Sequence, residues 1–219
     1  MSETLTIVIR VAVLTIVALV PLINPAGTAP IFLSLTHGES DRTRARMAVG
    51  IARNALVLLA AAILGGSLVL RLFGLSLAEI RIAGGLLVTA TAWHLMRTDQ
   101  RPDAAITALS RRQTHEPTHA TFYPLTFPVT IGPGSLAIAV TMGAGAGDGR
   151  VATLLGAMAG TVVVSVTIYL CYRFAARAAR LLGEAGTLVL FRLSAFILLA
   201  VGVKILSDGI VERFTTGSA

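Results

Sequence analysis

A single cysteine, Cys171, stands in a chain of 219 residues, which excludes an intrachain disulfide framework and any cysteine-based metal site. There is no G-x-x-x-x-G-K-[ST] loop to cradle nucleotide phosphates, so no ATP site is expected. Neither H-E-x-x-H nor a Ser-Lys or Asp-Asp pair at membrane depth occurs. Without a paired acid, base or nucleophile the chain is not expected to be an enzyme, and no metal or other cofactor is expected. Charged residues are only 13 % of the chain, and no Asp or Glu falls deep inside an apolar run, which leaves a carboxylate proton relay without a carrier. The first apolar run begins at Leu5 with no basic region before it and no small-residue cleavage site after it, so it reads as a retained span and not a signal peptide.

What the chain has in abundance is apolar sequence. Hydrophobic residues make up 55 % of it and fall in long blocks rather than amphipathic stripes, the pattern of an all-α polytopic membrane protein. At about 20 residues per span there is room for roughly six transmembrane helices and no separate soluble domain. The blocks cover residues 5–35, 47–70, 77–96, 121–147, 151–172 and 188–210, with a polar stretch from Arg97 to His119 between the third and the fourth. The expected organisation is one transmembrane domain, with a first repeat over residues 1–100, a linker over 101–119 and a second repeat over 120–219.

The formal net charge is +7, and 17 of the 18 basic residues are arginine, Lys204 being the exception. Most of them sit just outside apolar blocks, so the lipid bilayer and not nucleic acid is the expected partner. Six spans divide the loops between two sides. One side holds Arg42, Arg44, Arg46, Arg97, Arg101, Arg111, Arg112, Arg173, Arg177 and Arg180, the other only Arg10, Arg71, Arg150 and Arg213. The positive-inside rule then places both termini outside a cell membrane that the chain crosses several times. Arg173, Arg177 and Arg180, spaced i, i+4 and i+7, predict a short interfacial helix on anionic lipid.

Six of the eight prolines lie in two windows of one skeleton, Pro-Leu-x-x-Pro-x-x-x-x-Pro, running from Pro21 to Pro30 and from Pro124 to Pro133. Proline removes a backbone donor and clashes with the carbonyl one turn back, so each window predicts a broken helix, in spans one and four. The halves correspond further. Leu72-Phe73-Gly74 matches Leu181-Leu182-Gly183, and Arg81-Ile82-Ala83-Gly84 matches Arg192-Leu193-Ser194-Ala195. Three spans per half is an odd number, so the second copy must insert upside down, giving inverted-topology repeats.

A helix broken in a bilayer frees backbone groups that lipid cannot satisfy, so a break survives only against protein or a water-filled cavity. Two such breaks related by an inverted repeat point to a substrate site. Half-helix N-termini face a carboxylate there, while freed carbonyls hold an ammonium or a cation. The candidate binding residues are Asn24, Pro25, Gly27 and Thr28 at the first break and Thr130, Gly132, Gly134 and Ser135 at the second, with Asn54 as a further lining residue. Gly132-Pro133-Gly134-Ser135 reads as a loop followed by a helix start. Arg81 and Arg192 are read as interfacial anchors or interhelical partners, Glu79 as the partner of a neighbour, and Lys204 with Asp208 as an i, i+4 pair. Gly65-Gly66, Gly84-Gly85 and the G-x-x-x-G of Gly156 and Gly160 read as close helix packing.

Asn24-Pro25-x-Gly27-x-x-Pro30, then Phe32-Leu33-x-Leu35-Thr36, then Pro124-Leu125 through Gly132-Pro133-Gly134, with Gly84-Gly85 of the third span, resembles the MarC family of six-span bacterial and archaeal membrane proteins. The family includes the SnatA small-neutral-amino-acid transporters, and the resemblance covers essentially the whole chain. It implies an inner-membrane secondary transporter, with glycine or alanine as candidate substrate and coupling to an ion or proton. The family name implies drug resistance, but nothing in these residues forms a drug pocket. Phe127 and Pro128 make the approach to the Gly-Pro-Gly turn bulkier than the resemblance leads one to expect. The expected function is secondary transport of a small neutral amino acid, and the alternative is a channel for a small neutral solute through the same breaks.

Overall fold

Backbone placed in hydrocarbon must satisfy its own hydrogen bonds, and helices do so within one segment. The computed structural model describes residues 2–97, 121–144 and 150–216, and among these every element is helical. In chain order they are α1 (Ser2–Ile23), α2 (Pro25–Leu35), α3 (Asp41–Phe73), α4 (Leu77–Arg97), a proline-bearing segment (Thr121–Thr130), α5 (Pro133–Ala144), α6 (Arg150–Arg173) and α7 (Ala175–Thr216). The linker expected over 101–119 lies outside the described residues.

Four stretches are long and apolar enough to cross a membrane: Glu3–Ile23 of α1, Asp41–Phe73, Arg150–Arg173, and Arg192–Thr215 of α7. A fifth arises if the proline segment and α5, bent by 74° at their junction, are taken as one span. The α4 helix, counted as a span from the sequence, is not in this set, because Glu79, Arg81 and His94 dilute its apolar character.

The helix ends follow local chemistry. Ser40 caps α3 by accepting the Thr43 amide at 3.1 Å. Gly74 ends α3 at a left-handed φ of 64° that a side chain would resist. Ser76 and Glu79 open α4 as a reciprocal capping box: the Ser76 amide donates to Glu79 Oε2 at 2.7 Å and the Glu79 amide to Ser76 Oγ at 3.3 Å. In α7, Gly183 has φ 66° and ψ −176°, a conformation open essentially to glycine alone, and it separates residues 175–182 from 184–216. A short helix thus stands where the arginine spacing predicts one, as the first part of α7, with Arg173 placed at the end of α6. The Arg173 and Arg177 guanidinium groups lie 5.8 and 5.6 Å from the Phe174 ring centre.

Packing joins α1 to α6, α3 to α5, α3 to α6, and α4 to α7 along their lengths, with α2 against α6 and α7. Small residues permit the approach. A Cβ at Gly156 would stand 2.6 Å from the Val8 carbonyl oxygen, and one at Gly160 2.7 Å from that of Ala12, so the G-x-x-x-G is the face of α6 that meets α1. The α4–α7 pair is tied at one end by Arg81 Nη1 to Glu212 Oε2 at 2.6 Å, flanked by Arg213 Nη1 to Glu79 Oε1 at 3.7 Å. Arg81 is thus an interhelical partner. Lys204 and Asp208 pair along α7 at 2.9 Å, as their spacing predicts.

Candidate functional site

The first break is one residue wide. Asn24 adopts φ 49° and ψ 57°, a left-handed conformation that asparagine tolerates better than most residues. Its amide still donates to the Val20 carbonyl at 2.8 Å and its own carbonyl accepts the Thr28 amide at 3.0 Å, so α1 runs to its end and α2 starts at once. Pro25 occupies the first helical position, where a missing N–H costs nothing. The Asn24 Oδ1 accepts the Gly27 amide at 3.1 Å. Gly27 has to be glycine for this, since a Cβ there would collide with the Asn24 side-chain amide.

The second break is wide. Tyr123 and Phe127 are extended within the segment Thr121–Thr130, and the Tyr123–Pro124 and Phe127–Pro128 peptide bonds are cis. The turns are loose, and hydroxyls close them. Thr126 Oγ1 donates to the Thr121 carbonyl at 2.7 Å and Thr130 Oγ1 to the Leu125 carbonyl at 2.6 Å, each reaching five residues back. Past this segment α5 starts at Pro133. The Gly132 carbonyl accepts the Leu136 amide at 3.2 Å and Ser135 Oγ at 2.8 Å, which puts Gly132 in the capping position.

The proline skeleton departs from the structure in two ways. Pro21 and Pro30 sit inside α1 and α2 without breaking them, so a proline in these windows does not by itself mark a break. The half-helices begin at Pro25 and Pro133, so the equivalent residues are Asn24 with Gly132 and Pro25 with Pro133. The skeleton pairs Pro25 with Pro128 instead, which is five residues out of register with the helix starts.

The breaks meet at a residue that no motif marks. Tyr172, near the end of α6 and 2 % exposed, has its hydroxyl 2.9 Å from Thr28 Oγ1 and 2.8 Å from Thr130 Oγ1. Its ring lies on Phe32 of α2 with centroids 4.8 Å apart and planes 6° from parallel. Tyr172 ends an apolar block next to Arg173 and carries no signal in the sequence, and only the packing of α6 on α2 brings it to the breaks.

The other candidates divide. Thr28 and Thr130 are brought together through Tyr172. Asn54 Nδ2 donates to Thr126 Oγ1 at 3.4 Å, so it reaches the second break but not the first. Gly134 is buried against α4, where a Cβ would collide with Val88, and is a packing position. The Ser135 hydroxyl is buried and turned onto its own helix start. Space is open at Gly132, beside which a Cβ would find only the Pro128 carbonyl oxygen, at 3.8 Å.

Among the described residues the buried polar side chains other than Tyr172 are all serine or threonine, and no buried side-chain nitrogen or oxygen lacks a partner. The breaks are therefore lined by neutral hydroxyls, helix starts and carbonyls. Such a lining suits a ligand with no net charge, since an unpaired ion would find no countercharge here.

The profile of MarC family integral membrane proteins matches residues 9–214 of the chain. The inner membrane protein MarC of Salmonella typhimurium is 29 % identical over 210 residues, covering 93 % of this chain and 95 % of that protein. The MarC protein of Citrobacter koseri is also 29 % identical over 210 residues, with the same coverage. The membrane protein YvbG of Bacillus subtilis is 29 % identical over 192 residues, 87 % of this chain and 90 % of its own length. No solved structure matches the chain.

Proposed function

The chain belongs to the MarC family of integral membrane proteins, and we propose that it is a secondary transporter of a small neutral amino acid, glycine or alanine in size. The observation that carries this reading is the meeting of two proline-started half-helices at one buried cluster with no charged side chain. A zwitterion needs both signs of partial charge. The starts of α2 and α5 supply positive dipole ends for its carboxylate, and the carbonyls at the breaks receive its ammonium. Asn24, Pro25, Gly27 and Thr28 act on one side and Thr130, Gly132, Gly134 and Ser135 on the other, with Asn54 supporting the second break. Gly27, Gly134 and Ser135 contribute through backbone position, as their side-chain environments require.

We read the architecture as six spans in two inverted repeats, α1–α2, α3 and α4 against the proline segment with α5, α6 and α7. The packing supports it. Exchanging the halves turns the α1–α6 contact into the α5–α3 contact and leaves α3–α6 and α4–α7 paired with themselves. Gly74 and Gly183, at matching places before the third helix of each half, both take positive φ. The protein lies in the inner membrane with both termini outside, as the arginine distribution indicates.

Uptake of labelled glycine or alanine into proteoliposomes tests the proposal. Saturable uptake with counterflow is expected, flux that never saturates would favour a channel for a small neutral solute, and folded protein that moves neither amino acid would sink the substrate assignment.

A further inference from the structure

We infer that Tyr172 is a positioning residue for this transport: its hydroxyl is a reversible tie between the two broken helices, and the site opens to substrate when the tie parts at Thr130. The inference rests on the reading of the breaks as a transport site.

Thr130 spends its hydroxyl proton on the Leu125 carbonyl at 2.6 Å, so the 2.8 Å contact with Tyr172 is made by the phenol donating to Thr130. The phenol has then no second proton, and the 2.9 Å contact with Thr28 draws on the Thr28 proton, which Thr28 shares between Tyr172 and the Asn24 carbonyl at 3.1 Å. One tyrosine on α6 thus donates to the second break and accepts from the first.

The two sides of the tie are unequal. Toward α2, Tyr172 has the Thr28 bond and the parallel stack on Phe32, which lies one helical turn beyond Thr28 on the same face. Toward the second break its hydrogen bond is to Thr130, with no ring stacked on it. The weaker side yields first, so Tyr172 stays with α2 and the proline segment moves. The cost on the threonine side is small because Thr130 keeps its Leu125 acceptor after parting, and no buried hydroxyl proton is stranded there. Thr28 has an equivalent fallback in the Asn24 carbonyl at 3.1 Å. An element whose hydroxyls have two satisfied arrangements is what a two-state opening requires. In this arrangement every buried side-chain polar atom described has a partner within the protein.

The test uses the full-length protein in lipid nanodiscs without substrate, read by hydrogen–deuterium exchange. Tyr172→Phe keeps the stack and loses the tie. Amide exchange over residues 121–136 should rise on the order of tenfold, as loss of about two neutral hydrogen bonds implies, while α4 stays within about twofold. Thr130→Val should match it at the second break and Thr130→Ser should behave as the unaltered protein. In glycine counterflow, Tyr172→Phe should lower KM about three- to tenfold without raising the maximal rate, because a larger fraction of empty carriers is open. Unchanged exchange over 121–136, an equal rise in α4 and α7, or a Thr130→Ser variant as fast as Thr130→Val would overturn the tie. Should Tyr172→Phe not fold, the Thr130 pair decides the question alone. An unaltered protein that moves no glycine or alanine would sink the transport reading, and the exchange result would still judge the tie.

Discussion

The two breaks solve one problem by different means. Each has to start a helix at a proline amid apolar surroundings, at Pro25 and at Pro133. The first does it within a single residue, using the left-handed backbone of Asn24 and its side chain as a cap on Gly27. The second uses a ten-residue segment, two extended residues and a 74° bend, and its capping position, Gly132, has no side chain. One break is closed by a side chain and the other is held by hydroxyls reaching five residues back. The first should therefore depend on the identity of its own residue, and the second on hydroxyls elsewhere with space left beside the cap.

The largest effect is expected at Asn24. Alanine there loses the cap and must adopt a left-handed conformation, together about 2 kcal/mol. Glycine loses the cap but not the conformation, and should recover about half of that. Denaturation of the purified protein in detergent measures both. If the two variants were equally destabilised, the left-handed turn would not be what limits the residue. Transport by Asn24→Ala confounds stability with binding, so Asn24→Gly is the cleaner probe of the site.

Gly27→Ala comes next, at about 1–2 kcal/mol, because its Cβ takes the place of the Asn24 amide and expels the cap. Combined with Asn24→Gly it should add little, since the cap is already gone, and full additivity in a double-mutant cycle would separate the two residues.

At the second break, Thr126→Val should cost about 1 kcal/mol. It removes the bond to the Thr121 carbonyl at 2.7 Å and the acceptor for Asn54 at 3.4 Å. Asn54→Ala should cost less, because its one described bond is long. A larger loss at Asn54 than at Thr126 would reverse the order of the two supports.

Much of this contrast was legible in the sequence, because proline and asparagine act locally. The breaks, the helical class, the Lys204–Asp208 pair and the glycine packing face all follow from spacing. The register of the second break was not legible, since Pro128 and Pro133 are equivalent as letters and only the extended backbone at Tyr123 and Phe127 decides which starts a helix. Pro30 looked like a breaker but sits within α2. Tyr172 was invisible for a different reason. It meets Thr28 and Thr130 from 144 and 42 residues away, and no local pattern encodes that meeting. Gly183 appeared only as one end of a weak Leu-Leu-Gly match, and its left-handed φ emerges because residues 184–216 must leave the interfacial turn in a new direction.

The smallest effect on stability, and the sharpest on the comparison, is expected at Gly132. Its φ is not in the left-handed region, and a methyl group there would meet only the Pro128 carbonyl oxygen at 3.8 Å. Gly132→Ala should therefore unfold within about 0.5 kcal/mol of the unaltered protein. Transport should respond differently. If the space beside Gly132 receives substrate, the added methyl group shortens it by roughly one carbon, and alanine uptake should fall several-fold more than glycine uptake. Asn24→Gly, which adds nothing to that space, should leave the ratio of the two substrates unchanged. A Gly132→Ala variant with unaltered stability and an unaltered alanine-to-glycine ratio would remove the second break from the substrate's path and leave the first as the whole of the site.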